Sequence, residues 1–313
     1  MPGADLKRLA EIARDCRVEI IRILTHAGSG HPGGSLSAID LLTALYFGGF
    51  LRYDPKDPWW PERDRFILSK GHCVPALYVV LARIGYLSEA ELPSLRKLGS
   101  RLQGHPYPGP PGERVPGIEA ATGSLGQGLS IAIGMALAAR MERRASRIFG
   151  MLGDGECQAG QVWEAAMAAP KVGGTRYCLD NLYVVVDRNG IQNDDFVDRT
   201  LSLDPLAAKW ESFGWHVIEI ADGHEMGAIV KGFRAALEVT GRPVVLIART
   251  VKGKAVSFME NNPKWHGVAP KPREAVQAIR EILGVGEAEW PAYLGRTPKV
   301  AAIVRELEAL ETR

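Results

Sequence analysis

Two short segments, each closing an apolar run, constrain this chain more than any other feature. Gly153-Asp154-Gly155-Glu156 follows the run that ends at Leu152, and Asp187-Arg188-Asn189-Gly190-Ile191 follows the run that begins at Leu182. An acid and an amide, each just past the end of a buried strand, can hold one cation between them. Mg²⁺ wants six oxygens in near-octahedral order and takes few from protein, the rest from phosphates and water. Asp154 offers a carboxylate, Asn189 an amide oxygen and Ile191 a backbone carbonyl, which leaves the other positions to a diphosphate. Gly153 and Gly155 allow the backbone to approach that group closely. The segment Gln161–Met167 reads as a helix whose N-terminus turns N–H groups toward the anion.

The pattern on either side predicts the fold class. Strands are expected at 65–69, 147–152, 182–187, 216–220 and 244–249, with helices at 5–27, 37–47, 74–84, 126–143, 161–169, 205–213 and 225–240. This alternation predicts an α/β fold, a mostly parallel sheet with helices on both faces. Ligands of such sheets bind beyond the carboxyl ends of the strands, where Asp154 and Asn189 fall. Ser88-Glu89-Ala90-Glu91 carries a capping-box pattern that predicts a further helix start. The Pro- and Gly-rich stretch 99–123 predicts a long functional loop. Past Lys271 the pattern predicts two surface helices separated at 290–297, so that 1–270 forms the main domain and 271–313 a helical extension.

Composition narrows the class of partner. A net charge of +2 gives no electrostatic reason to bind nucleic acid. No stretch approaches 18 apolar residues, which argues against a membrane span. Residues 1–24 read as an amphipathic helix with charges throughout, unlike a secretion signal. Cys16, Cys73, Cys157 and Cys178 show no paired ligand spacing and read as free thiols of a reducing, cytoplasmic compartment.

Further motifs occur in order along the chain: Ser29-Gly30-His31-Pro32-Gly33-Gly34-Ser35, Ser69-Lys70-Gly71-His72, Gln103-Gly104-His105-Pro106, Gly123-Ser124-Leu125-Gly126-Gln127-Gly128, Lys252-Gly253-Lys254 and Trp265-His266-Gly267. Together with GDGECQAGQVWEAAMAA and LDNLYVVVDRNGIQND they closely resemble the transketolase family, from about Arg17 to Pro270. The resemblance implies a thiamine diphosphate-binding fold with Mg²⁺ at Asp154, Asn189 and Ile191. It places Gly123, Ser124 and Leu125 against the aminopyrimidine. His72, Gly153, Gly155, Glu156, Lys252 and His266 are implied as further cofactor contacts. His31, His72, His105 and His266 then surround the reacting sugar, where imidazole can donate, accept and shuttle protons. Glu164 matches a member of the family's carboxylate network. His26, His216 and His224 read as structural, with Asp222-Gly223-His224 opening a helix.

The resemblance reaches only the first of the family's domains. It therefore implies the N-terminal subunit of a split transketolase, active with a partner that supplies the pyrimidine-binding and C-terminal domains, as a heterotetramer acting on sugar phosphates. The chemistry implied is transfer of a two-carbon ketol unit from a ketose phosphate to an aldose. Three departures from the family stand out. Ala159 replaces a network glutamate, Ala255 replaces a frequent glycine, and residues 170–175 resemble an insertion between Asp154 and Asn189. Two rival readings stay open at this point. One is the alpha subunit of a 2-oxo acid dehydrogenase, against which the four histidines argue. The other is a non-catalytic partner subunit, which Ala159 keeps alive.

Overall fold

The computed structural model describes residues 5–171 and 179–311. In chain order its strands are β1 Arg65–Leu68, β2 Ile148–Gly153, β3 Leu182–Arg188, β4 His216–Ile220 and β5 Val244–Arg249. They pair in the order β1-β2-β3-β5-β4, and every pairing is parallel. The helices are α1 Leu6–Ala27, α2 Pro32–Phe47, α3 Val74–Arg83, α4 Gln127–Met141, α5 Gly160–Ala168, α6 Val197–Thr200, α7 Leu206–Ser212, α8 Met226–Glu238, α9 Pro272–Ile282, α10 Trp290–Arg296 and α11 Pro298–Glu308.

Alternation along each strand feeds two cores. On β3, Tyr183 and Val185 point into a core shared with α1, α2, α3 and α8, while Leu182, Val184 and Val186 point into one shared with α4, α5 and α7. Each aliphatic side chain buried this way stabilises the fold by roughly 1.5–3 kcal/mol. Burial on both faces explains why the strands read as continuous apolar runs rather than as an alternating pattern.

Several element boundaries differ from the expectation. Helix α2 starts at Pro32 rather than at residue 37, because proline suits the first turn and Gly33 and Gly34 fit where no side chain could. A Cβ on Gly33 would lie 2.9 Å from the Trp265 carbonyl oxygen, and one on Gly34 would lie 2.6 Å from Cys73 Sγ. The expected capping box at Ser88 opens only a 3-10 turn over Glu89–Ser94. Ser88 caps it, but Glu91 pairs with Arg101 instead of reaching back. The expected break at 290–297 is itself mostly α10. The flanking helices are the expected surface helices, each burying one face: α9 buries Ala275, Ala278 and Ile279 and α11 buries Leu307, all in the core that α1 shares, while Arg273, Gln277, Arg305 and Glu308 stay exposed. Cys178 and most of the segment read as an insertion lie outside the described residues.

The register positions the site. Gly153 pairs with Asp187 across β2 and β3, and Arg188 pairs with Arg249 across β3 and β5. The segments beginning at Asp154, Asn189 and Thr250 therefore leave three adjacent strands side by side, at their carboxyl ends.

Candidate active site

Asp154 and Asn189 are both buried where β2 and β3 end. Asp154 accepts the Gly155 N–H at 2.9 Å and the Gly190 N–H at 2.6 Å, which clamps the two strand ends together. Burial raises its carboxyl to about 6, against the opposing pull of those amides. Asn189 Oδ1 accepts the Ile191 N–H at 3.2 Å, and the Ile191 carbonyl accepts Lys252 Nζ at 2.9 Å. Lys252 thus holds that carbonyl, although burial and the nearby Lys70 lower its ammonium to about 8. Among the described residues no three His, Cys, Asp or Glu side chains converge as a metal cage. One carboxylate, one amide and one carbonyl form instead the sparse oxygen set that suits Mg²⁺ shared with a diphosphate. The residues present fit both groups. The anticipated helix N-terminus is less direct: a 3-10 turn over Gly155–Gln158 comes first, and α5 starts only at Gly160.

Four histidines from four separate loops meet at this end of the sheet. His31 lies 5.1 Å from His72, 5.4 Å from His266 and 6.2 Å from His105, ring centre to ring centre, and His72 stacks on His266 at 5.1 Å. Burial depresses all four. His31 falls to about 4, helped by Arg96, and His266 to about 3, helped by Lys252. His72 lies well below its ordinary value, with Lys70 adding to its burial, and His105 is lowered by burial and Arg96. All four rings are thus neutral near pH 7. The His31 Nδ1 is buried and has no hydrogen-bond partner among the described residues.

Two buried carboxylates brace the site. The first, Asp187, was not singled out by sequence reasoning. It pairs with Lys70 and accepts hydrogen bonds from Ser37 Oγ at 2.6 Å and from Thr250 Oγ1. Burial is the largest single influence and works against both charges, but the Lys70 charge and bond with the Ser37 and Thr250 hydroxyls together hold Asp187 below its ordinary range, and Asp187 with the neighbouring Cys73 and Asp154 holds Lys70 above its own. The signal was present, since Lys70 and Asp187 both lie inside the ordered motifs. Only their pairing across 117 positions was invisible. The second is Glu156, anticipated as a cofactor contact. It accepts from Ser69 Oγ at 2.5 Å and from the Gly126 and Gly153 N–H groups at 2.7 and 3.1 Å, so it shapes the backbone that lines the cavity.

One cavity of about 260 Å³ is lined by His31, His72, His105, Gly123, Leu125, Gly153, Asp154, Gly155, Glu156, Asn189, Ile191, Lys252 and His266. Two anticipated residues stand apart from it. Ser124 is exposed and does not line it, and Glu164 is exposed on the outer side of α5. Gly123 has φ 132°, and a Cβ there would come 2.7 Å from the His105 ring, so glycine is required at that wall.

Residues 9–292 match the family described as transketolase, thiamine diphosphate binding domain. The chain belongs to the transketolase family. It is 42% identical over 266 residues to a subunit of the apulose-4-phosphate transketolase of Phocaeicola vulgatus, covering 85% of this chain and 90% of that protein. It is 44% identical over 278 residues to the 6-deoxy-6-sulfo-D-fructose transketolase subunit SqwG of Clostridium sp., covering 89% and 96%. Against human transketolase the identity is 41% over 278 residues, covering 88% of this chain but 42% of the human protein. The fold agrees: transketolase from Leishmania mexicana superposes with a TM-score of 0.80 at 27% identity, over 96% of this chain and 46% of that one. The chain thus spans about half the length of the solved transketolases and nearly the whole of the two bacterial relatives. It corresponds to the N-terminal, thiamine diphosphate-binding part of a transketolase, which decides against the 2-oxo acid dehydrogenase reading.

Proposed function

We propose that this chain is the diphosphate-holding subunit of a two-chain transketolase, moving a two-carbon ketol unit from a ketose phosphate to an aldose. One observation carries the reading: the Asp154, Asn189 and Ile191 oxygens and four neutral imidazoles line the same cavity. Asp154, Asn189 and Ile191 would hold Mg²⁺, and Lys252 would place a point charge on the diphosphate. Thiamine diphosphate, when bound, supplies the nucleophilic carbon for the reaction. His31, with its unpartnered Nδ1, binds and orients a sugar hydroxyl. A ring neutral at pH 7 can also take the proton that such a hydroxyl releases. His72, His105 and His266 close round the same space and keep water out of it.

The lining also supports the need for a partner. Its two carboxylates are both committed, Asp154 to the proposed metal and two backbone amides, and Glu156 to Ser69 Oγ and two backbone amides of this chain. An acid free to activate the cofactor therefore has to come from elsewhere, and a second subunit with pyrimidine-binding and C-terminal domains would bring it. Glu164 and Met167 are exposed one turn apart on α5, a face of the kind partners cover. A two-plus-two heterotetramer is the simplest symmetric assembly.

The test is to recover the tagged chain from native extract and assay Mg²⁺- and thiamine diphosphate-dependent cleavage of ketose phosphates. A co-purifying second chain, with activity only in the pair, is the expected result. Full turnover by the purified chain alone would overturn the partner requirement, and a pair that cleaves no ketose phosphate would overturn the reaction.

A further inference from the structure

The motif Asp222-Gly223-His224 does not open a helix. Helix α8 is capped by Glu225, which accepts from the Gly227 and Ala228 amides. Asp222 instead turns the chain on itself by accepting the His224 N–H at 2.8 Å. Gly223 lies so close to the segment after β5 that a Cβ would come 2.6 Å from Thr250 and 2.8 Å from the Arg249 carbonyl oxygen. This packing delivers the His224 ring, only 10% exposed, to the underside of the loop that carries Lys252.

Both ring nitrogens are engaged. Nε2 accepts the Val251 N–H at 2.8 Å, so it carries no proton. Nδ1 then holds the ring proton and donates it to Asp40 Oδ2 at 2.6 Å. Asp40 is buried in the middle of α2, and the Arg17 guanidinium of α1 binds the same oxygen. A carboxylate that fixes one face of an imidazole fixes its tautomer and orientation too. We propose that His224 is a positioning residue for Lys252: through the Val251 amide, the Arg17–Asp40–His224 chain sets the peptide from which Lys252 reaches the cofactor site. The inference rests on Lys252 contacting the diphosphate, as proposed above.

The placement supports this role. Val251 adjoins Lys252, whose Nζ must meet both the Ile191 carbonyl and His266 Nδ1, at 2.9 and 2.6 Å. The flanking residues are tied to other elements, Thr250 to Asp187 and Gly253 N–H to Gly33 O at 3.0 Å. The Val251 amide is thus held by a side chain bonded to Asp40 on α2, which in turn binds Arg17 of α1, and α2 follows directly from His31. The device couples the lysine to the element that carries the first histidine.

Two variants separate positioning from bulk structure. The Asn amide ends level with Nδ1 and the Gln amide level with Nε2. His224→Asn therefore keeps the Asp40 bond and loses Val251, whereas His224→Gln keeps an acceptor for Val251. The readouts are hydrogen exchange of the Val251 amide and thiamine diphosphate titration, with Mg²⁺, of the complex isolated with its partner. In H224N, exchange at Val251 and the half-saturating cofactor concentration are expected to rise by about tenfold, the effect of one lost part-buried hydrogen bond. Turnover at saturating cofactor stays near that of the unaltered complex, and H224Q restores both readouts. Equal behaviour of the two variants, or a fall in turnover without a change in cofactor demand, overturns the proposal. Should the unaltered complex take up no thiamine diphosphate at all, the functional reading fails, and unchanged exchange in H224N would separately show that His224 does not hold Val251.

Discussion

Lys70 and Asp187 form an ion pair in which the side chains are 1% and 0% exposed, directly beneath the Asn189 turn. Asp187 also takes hydrogen bonds from Ser37 and Thr250, so one carboxylate ties together α2, β3, the end of β5 and the segment after β1. Removing one partner leaves an uncompensated buried charge, which costs about 3–5 kcal/mol, whereas replacing both by apolar groups costs much less. Lys70→Met and Asp187→Leu are therefore each expected to lower the urea midpoint strongly, and the double variant to recover part of the loss. Additive losses would show that the two groups act separately.

The four depressed histidines make stability fall in acid. A histidine whose folded value lies below its unfolded value takes up a proton more readily when unfolded. Its contribution is fully present above about pH 6.5 and drains away as pH falls toward the folded values, about 4 for His31 and about 3 for His266. Melting temperature is expected to drop steadily from pH 7 to pH 4, with a shallower slope in His31→Gln. Titration of the ring signals by NMR should give His31 and His266 midpoints well below 6. A normal midpoint for either would remove that residue from the account.

Gly123 tests the fit between backbone and imidazole. Its φ of 132° and the His105 ring 2.7 Å from a Cβ make Gly123→Ala costly twice over, by strain and by overlap. A loss of about 1–3 kcal/mol is expected, together with displacement of His105 and reduced activity of the complex. A variant with unaltered stability and unaltered His105 resonances would contradict the geometry.

The proposed metal set of Asp154, Asn189 and Ile191 predicts how cofactor uptake responds. Asp154→Ala removes the one ionisable oxygen of the three donors and one clamp between Gly155 and Gly190. Thiamine diphosphate uptake by the complex, followed by tryptophan fluorescence, is expected to become insensitive to Mg²⁺ and at least about tenfold weaker. Chelation of the unaltered complex should reproduce the effect, and added Mg²⁺ should reverse it. Mg²⁺-dependent uptake surviving in the variant would move the metal elsewhere.

Much of the candidate site is legible in the sequence. Asp154, Asn189, Ile191 and the four histidines stand in motifs whose glycines and prolines mark them as loops at strand ends, and they line one cavity. The apolar faces of α9 and α11 are legible in their periodicity, but only the fold shows that α1 offers Ile279 and Leu307 a core to join.

By itself the sequence determined the parallel α/β class, the strand positions and the chemical types at the cavity, because hydrophobic periodicity and loop chemistry are local properties. The tertiary structure decided the pairings: Lys70 with Asp187, Glu156 with Gly126, and His224 between Asp40 and Val251. The reason is physical. A buried charge or ring nitrogen is satisfied by whatever donor or acceptor the packing brings within about 3 Å, and that partner can lie anywhere along the chain.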